Sequence, residues 1–191
     1  MMTEPKRNRN ISPRRPCACL RRFLLILIAT LLLAGVTACN SVFFYPSRDL
    51  APNPAVLIYA PDDVCFMADD GVILHGWFFP AANPRGSILV LHGNAENIST
   101  HVNSVLWLVP AGFNVFIFDY RGYGASEGKP TLDGVQRDAE AALAELLKLP
   151  GVDPQRIVVL GQSIGGAVAV NLVATSPLKK HVRLLVIDSA F

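Results

Sequence analysis

A serine near the carboxyl end of the sequence lies in a setting typical of nucleophilic catalysis. The stretch Gly161-Gln162-Ser163-Ile164-Gly165 follows an apolar, β-branched run and precedes small residues whose spacing predicts a helix. Such a sequence between strand and helix is typical of a sharp turn that holds the serine hydroxyl above a sheet. Side chains at positions 161 and 165 would collide with neighbouring backbone, so we expect glycine to be required there. Ser163 is therefore the predicted nucleophile of an acyl-transfer reaction.

Acyl transfer also needs donors for the negative charge that develops on the substrate carbonyl oxygen. The N–H of Ile164, at the start of the predicted helix, is one predicted donor. We expect the second donor in the loop that follows the first buried strand, His92-Gly93-Asn94-Ala95. Our choice is the N–H of Asn94, with Ala95 as the alternative. His92 is predicted to be a structural residue that orients this loop, rather than the general base.

Strand and helix patterns alternate along the second half of the chain, which predicts an α/β fold with a mostly parallel sheet. An Asp69-Asp70-Gly71 turn between two β-rich runs predicts an antiparallel hairpin ahead of it. Cys65 is expected to be a small buried residue of that hairpin. Thr131 is placed to cap a helix over 132–147. The predicted buried strands cover 87–91, 115–118, 157–160 and 184–187, and further helices are predicted near 98–109 and over 164–174.

Three sequence motifs that occur in a characteristic order make the prediction of the fold more specific. His92-Gly93-Asn94-Ala95-Glu96-Asn97, a stretch from Phe118 to Ser126, and the segment around Ser163 occur in that order. Together they closely resemble the α/β-hydrolase superfamily, in particular its Bem46-like, serine-aminopeptidase-like branch, over about residues 64–191. The resemblance implies an α/β-hydrolase fold with an N-terminal antiparallel hairpin, here expected to lack its last strands and helices. Within the middle motif, Asp119 and Arg121 are expected to brace the loop beside the serine turn.

The resemblance also implies a catalytic triad in the chain order Ser, acid, His. After Ser163 the sequence offers only His181 and then Asp188, in the opposite order. His181 precedes the last predicted strand and is expected on the surface, at the far end of the sheet. Asp188 falls at the correct end, where we expect it to close the strand rather than to serve as the catalytic acid. The chain is therefore predicted to be a truncated hydrolase with little activity.

These residues favour a membrane-tethered serine hydrolase of carboxylesterase type, acting on a small ester, thioester or amide. The reaction needs no cofactor, and no Cys–His spacing typical of a metal site is present. The alternative is a non-catalytic envelope lipoprotein that uses the same fold for binding. A dehalogenase is less favoured, because such enzymes have Asp where this chain has Ser163.

The first 38 residues have the pattern of a secretory signal peptide. A basic region is followed by an apolar run over 23–35 that is short for a membrane span. Val36-Thr37-Ala38-Cys39 then resembles a bacterial lipobox, which implies cleavage and lipidation at Cys39. An uncleaved signal anchor is the alternative, and either arrangement tethers the chain to a membrane. In Gram-negative bacteria Asn40, rather than Asp, favours the outer membrane over the inner.

The remaining sequence divides into a proline-rich spacer over 39–61 and a partial α/β-hydrolase domain over 62–191. Seven of the 17 basic residues and one of the 15 acidic residues lie before Cys39, which leaves the remainder with a net charge of −4. An acidic domain lacks the positive surface that phosphate contacts require, so no nucleic-acid partner is expected. Cys65 would then be the one free thiol of the folded domain, without a disulfide partner.

Overall fold

The computed structural model describes residues 22, 23, 25–28 and 43–189, and it divides into two units, Met1–Cys39 and Asn40–Phe191. In the first unit the described residues are helical and exposed. The remainder of the predicted signal peptide, and Cys39 itself, lie outside the described residues. Among the residues described, no helix is both long and apolar enough to span a bilayer.

A six-stranded sheet forms the centre of the second unit, with the strand order β2-β3-β6-β4-β7-β8. The strands are β2 (Asp62–Met67), β3 (Ile73–Phe79), β4 (Gly86–Leu91), β6 (Phe113–Asp119), β7 (Ile157–Gln162) and β8 (Val182–Asp188). The last four of these are parallel, and β2 and β3 form the predicted antiparallel hairpin. Two short strands, β1 (Tyr45–Pro46) and β5 (Ala95–Glu96), pair separately in parallel.

Within residues 44–189 the α-helices are α1 (Pro54–Tyr59), α2 (Ile98–His101), α3 (Leu132–Leu146) and α4 (Ile164–Thr175). Thr131 caps α3 as expected, because its hydroxyl accepts the N–H of Gly134 at 3.0 Å. The helical segment predicted near 98–109 is present but is not one continuous α-helix: α2 ends after one turn and two short 3₁₀ helices follow, Val102–Ser104 and Leu106–Leu108. The break at Val105, where φ is −123°, lets Val105 and Leu106 both reach the core.

The central strands of the sheet are covered on both faces, which explains why they are apolar along most of their length. The edge strand β8, predicted to be buried at 184–187, is instead mostly exposed. Every residue of β4 is buried. Leu89 contributes to the cluster packed under α3 and α4, whereas Val90 contributes to the cluster under α2 and the 3₁₀ helices. Strand β4 therefore lies in the interior of the domain, and its carboxyl end is fixed from both sides.

Strand β2 is an edge strand with one buried face, and its side chains alternate accordingly. Val64 and Phe66 are buried, whereas Cys65 between them is exposed. The prediction that Cys65 is buried was wrong, because a strand covered on one face buries only every second residue.

Part of the segment predicted as a spacer, 39–61, is folded onto the domain. Phe44 is buried in the core, β1 pairs with β5, and Asn53 caps α1 by accepting the N–H of Ala55. The prolines that suggested a spacer are accommodated in these elements: Pro46 in a two-residue strand and Pro54 at the first position of a helix. From Phe44 onward the segment thus differs from a free linker.

Arg121 links three parts of the domain through buried ion pairs. Its guanidinium donates to the Asp138 carboxylate on α3, with a shortest distance of 2.7 Å. It also pairs with Asp70 in the hairpin turn at 2.7 Å. Arg121 thus has a structural role, but the ion-pair partners lie on α3 and in the hairpin turn rather than in the loop beside the serine turn, where the sequence analysis placed its role.

Replacing Asp138 by Ala should lower the free energy of unfolding by about 3–5 kcal/mol, because the buried Arg121 would lose its principal partner. Asp133, on the same helix, pairs with Arg137 but is 82% exposed, so Asp133→Ala should cost no more than about 1 kcal/mol. Urea unfolding followed by circular dichroism measures both. Equal losses from the two variants would contradict the structural role assigned to the buried pair.

Candidate active site

Ser163 lies at the junction of β7 and α4 with a strained backbone. Its φ and ψ are 53° and −120°, in a region that non-glycine residues seldom adopt. The Ser163 N–H donates to the carbonyl of Asp188, at the end of the neighbouring strand β8, at 2.9 Å. The turn is therefore held by the sheet on one side and by the first turn of α4 on the other.

Glycine is required on both sides of this serine, as the sequence predicted. A Cβ atom on Gly161 would collide with the carbonyl oxygen of Gly165. A Cβ atom on Gly165 would collide with the carbonyl of Leu91 and would lie 2.6 Å from that of His92. Helix α4 therefore begins directly against the end of β4, and this close approach brings Ser163 beside the loop that follows β4.

The two predicted oxyanion donors lie at the ends of adjacent strands. Ile164 is the first residue of α4, and Asn94 follows β4. Within residues 43–189 neither main-chain N–H has an acceptor. A Cβ on Gly93 would lie 3.7 Å from the Cβ of Ser163, so the Gly93–Asn94 peptide is next to the serine. The oxyanion roles of Ile164 and Asn94, and of Ala95 as the alternative, remain predictions.

His92 fixes the orientation of that peptide. Its ring is fully buried, and Nδ1–H donates to the carbonyl of Gly93 at 2.7 Å. In a trans peptide the N–H points away from the C=O, so this bond directs the Asn94 N–H away from the His92 ring. Burial, reinforced by the nearby His101, lowers the pKa of His92 to about 3, so the ring is neutral at physiological pH. These contacts agree with the structural role predicted for His92.

Asp119 lies beneath the same loop at the end of β6. Its Oδ1 accepts the N–H of Ile98 at 2.9 Å and lies 3.7 Å from Nε2 of His92. The carboxyl is fully buried, and burial raises the pKa of Asp119 to about 7. As expected, Asp119 supports the neighbouring loops rather than facing the serine.

A cavity of about 360 Å³ opens in front of Ser163. It is lined by Gly93, Thr100, His101, Asn103, Ser104, Gln162, Ser163, Asp188 and Ser189. Asn94 is not part of this lining, whereas the preceding residue, Gly93, is. A larger cavity, of about 610 Å³, lies at the opposite edge of the sheet around His181. We assign the chemistry to the smaller cavity because it contains the strained serine.

Several of these lining residues were not predicted. The His101 ring stacks on His92 with centroids 4.9 Å apart, and its Nε2–H donates to the carbonyl of Ala95 at 2.7 Å. Gln162 donates to Asp188 at 3.3 Å and accepts from Ser104 at 3.2 Å. No motif distinguishes His101 in the sequence, because its contacts with the Ala95 carbonyl and the His92 ring form only in the folded protein.

The two residues weighed as triad partners lie at opposite ends of the sheet. Asp188 lines the cavity with Ser163, whereas His181 lines the cavity at the other edge. Within the described part of the chain, no histidine ring is hydrogen-bonded to Ser163.

Solved structures with a similar architecture are α/β hydrolases. One structure of the Pyrococcus furiosus esterase Pf2001 superposes with a TM-score of 0.66 at 28% sequence identity, over 76% of this chain and 58% of the esterase. The mostly parallel sheet and the strained serine at its carboxyl edge agree with that class. The protein has the α/β-hydrolase fold, as the sequence predicted.

The sequence comparisons are more specific. A family model described as "Serine aminopeptidase, S33" matches residues 82–191, and the chain belongs to this family. YfhR of Escherichia coli K12, itself uncharacterized, is 35% identical over 175 residues, covering 88% of this chain and 60% of YfhR. The α/β hydrolase domain-containing protein WAV2 of Arabidopsis thaliana is 40% identical over 150 residues, 76% of this chain and 47% of WAV2. The chain thus spans 60% or less of these relatives.

The buried Asp119 should make stability depend on pH. Its carboxyl is neutral in the folded protein up to about pH 7 but ionises near pH 4 when unfolded, so its contribution is complete below pH 4 and is lost as the pH rises through 7. Between pH 5 and 8 the protein should lose about 3 kcal/mol relative to Asp119→Asn. Urea unfolding at both pH values measures this difference.

His92 has the opposite dependence, because its folded pKa is lowered, but it is present in both proteins and cancels in the comparison. An equal stability difference between the two proteins at pH 5 and pH 8 would show that Asp119 is ionised throughout in the folded state.

Proposed function

We propose that the protein is a serine hydrolase of carboxylesterase type in which Ser163 is the nucleophile. The observation that supports this most directly is the strained backbone of Ser163, which faces a cavity at the carboxyl edge of the sheet. Strain of this kind costs of order 1–3 kcal/mol, and a domain that only binds a partner has no need of it.

The reaction follows from the groups around the cavity. The Ser163 oxygen attacks the carbonyl carbon of an ester, thioester or amide, and the developing oxyanion accepts hydrogen bonds from the N–H groups of Ile164 and Asn94. The alcohol, thiol or amine leaves with the proton given up by the serine. Water then attacks the acyl-serine, releases the carboxylic acid and restores the hydroxyl. The balanced reaction consumes one water and needs no cofactor.

We expect the reaction to be slow because the described residues place no general base in hydrogen-bond contact with Ser163. No histidine among the described residues is hydrogen-bonded to Ser163, and a neutral hydroxyl is a weak nucleophile on its own. Loss of a triad member leaves only a small residual rate, supported by the oxyanion donors. We therefore propose low activity for the chain, about 10⁴- to 10⁶-fold below that of a hydrolase with a complete triad.

The substrate proposed is a small ester, thioester or amide. The cavity of about 360 Å³ lies at the small end of the range for ligand sites. The P. furiosus relative is an esterase, whereas the family takes its name from an aminopeptidase. We favour an ester because the cavity is small and the similar P. furiosus structure is that of an esterase.

We further propose that the hydrolase is anchored to the cell envelope through a lipid on Cys39. The support is the sequence alone: a basic region, a short apolar run, and Val36-Thr37-Ala38-Cys39 at its end. Asn40 after the cysteine favours the outer membrane if the source is Gram-negative. A signal anchor that is not cleaved would tether the chain to the membrane without the lipid.

A fluorophosphonate probe tests the nucleophile. We expect slow, stoichiometric labelling that intact mass and peptide mapping place on Ser163, since the probe needs a positioned serine and oxyanion donors. The label should disappear in Ser163→Ala. It should be retained in Thr175→Ala, which removes an exposed hydroxyl from the far end of the same helix.

Hydrolysis of p-nitrophenyl acetate measures the rate in the same proteins. Complete absence of labelling would reject the hydrolase in favour of a binding domain. Turnover as fast as that of a complete esterase, lost in Ser163→Ala, would instead show that a base is present and that the proposed low activity is wrong.

Replacing Cys39 by Ser tests the anchor. Metabolic labelling with an alkynyl fatty acid should mark the parent chain expressed in bacteria and should leave Cys39→Ser unmarked, because acylation needs the thiol. Cys65→Ser, which removes the exposed thiol of the folded domain, is the matched control and should remain labelled. Label that persists in Cys39→Ser would contradict lipidation at this site.

A further inference from the structure

A segment at the start of the folded domain, residues 44–49, lies against the loop that carries Asn94, next to the candidate active site. We call it the N-terminal strap. Phe44 is only 5% exposed and belongs to the main apolar cluster. The Arg48 guanidinium donates to the carbonyls of Ser126 and Gly128 at 3.0 and 3.1 Å. The strap is therefore bound firmly at both ends, by burial at Phe44 and by hydrogen bonds at Arg48.

Between these ends, the strap hydrogen-bonds to the loop that carries the predicted oxyanion donor. Strands β1 and β5 pair in parallel, and the N–H of Ser47 donates to the carbonyl of Glu96 at 3.1 Å. The Asn97 side-chain amide donates to the carbonyls of Ser47 and Asp49 at 3.2 and 2.8 Å. The loop after Asn94 is therefore held by the strap on its outer side.

The strap also binds Asn94 directly. The N–H of Tyr45 donates to the side-chain oxygen of Asn94 at 3.1 Å. The Tyr123 hydroxyl lies 2.6 Å from the main-chain oxygen of Asn94 and 3.1 Å from its side-chain oxygen. Burial raises the pKa of Tyr123 to about 12, so at neutral pH this hydroxyl is protonated and can donate. Both oxygens of Asn94 are thus engaged on the side of the strap.

This arrangement matters because Asn94 carries acceptors as well as the predicted donor. An amide oxygen turned toward a developing oxyanion would repel it, whereas the N–H of the same residue would stabilise it. The cavity lining includes Gly93 but not Asn94, which agrees with an Asn94 side chain held on the other side of the loop.

We propose that the N-terminal strap positions the oxyanion hole: the Tyr45 N–H holds the Asn94 side chain, and the pairing of β1 with β5 fixes the loop that presents the Asn94 N–H. The inference rests on the proposed hydrolase function. Tyr45 and Asn97 are positioning residues, because they act through Asn94 and its loop and do not touch the reacting atoms. The strap is then part of the active-site architecture, although it precedes the sheet in the sequence.

Tyr45→Pro tests the direct bond, because proline has no N–H. Tyr45→Ala is the matched control: it keeps the N–H and removes a side chain that is 61% exposed. With increasing fluorophosphonate, the saturating rate of Ser163 labelling should fall roughly tenfold to hundredfold in Tyr45→Pro. The concentration for half-maximal labelling should stay within about twofold, and Tyr45→Ala should match the parent in both.

Asn97→Asp tests the contact between the strap and the loop in a second way, through the Asn97 side chain. An aspartate oxygen can still accept the Ser99 N–H that caps α2, but the two donors to the strap are lost. We expect the same selective fall in the saturating rate. Thermal unfolding of each variant shows whether the fold is retained, so that a loss of rate is not mistaken for a loss of structure.

Hydrogen exchange separates this inference from the proposed function. Amides of residues 95–97 should exchange at least about tenfold faster in Tyr45→Pro and Asn97→Asp than in Tyr45→Ala, with the strands of the central sheet unchanged. If the parent chain is never labelled on Ser163, the proposed function fails, and exchange alone decides whether the strap holds the loop. Unchanged exchange in both variants, or an unchanged saturating rate in a labelled protein, would overturn the positioning role.

Discussion

The close approach of α4 to the end of β4 is the constraint on which the site depends. Because Gly165 lies against the Leu91 carbonyl, the helix starts where the adjacent strand stops, and Ser163 must turn through a left-handed conformation between them. The pairing of β4 with β7 sets this distance, and the burial of β4 on both faces keeps it from relaxing. The strain at one residue is thus sustained by the packing of the whole sheet.

The side chains that support the carboxyl edge of the sheet near Ser163 are uncharged, partly protonated or already hydrogen-bonded. The His92 ring is uncharged, and its Nδ1–H is hydrogen-bonded to the Gly93 carbonyl. The carboxyl of Asp119 is partly protonated at neutral pH. Within residues 43–189 the main-chain N–H groups of Ile164 and Asn94 have no acceptor, and they are the donors that we propose for the developing negative charge. Fixed dipoles of this kind need no rearrangement when the charge appears, which is the general basis of electrostatic catalysis.

Local sequence was sufficient to predict much of this arrangement. The turn at Ser163, the hairpin around Asp70 and the cap at Thr131 each depend on a few consecutive residues, and the structure shows all three. The alternation of apolar runs with helical patterns likewise indicated a mostly parallel sheet, because buried strands and covering helices leave different periodicities.

The features that sequence did not reveal depend on contacts between distant residues. His101 lines the cavity from the last position of α2, beside a loop that belongs to a different strand, and no local sequence pattern marks that neighbourhood. The exposure of Cys65 depends on β2 being an edge strand, which no local pattern specifies. Pro46 and Pro54 suggested a spacer in the sequence. Their place in a short strand and at the start of a helix depends on contacts with the folded domain, which the local sequence does not reveal.

The contact between Tyr45 and Asn94 joins residues 49 positions apart, whereas the bend at Ser163 forms from neighbours. Closing so long a chain segment has an entropic cost that local turns avoid. On the ribosome, however, the earlier partner is synthesised first and is already present when the later one emerges. Proteolytic clipping after synthesis would act differently: a cut just after Arg48 would leave the six-stranded sheet assembled while weakening the outer support of the loop that carries Asn94.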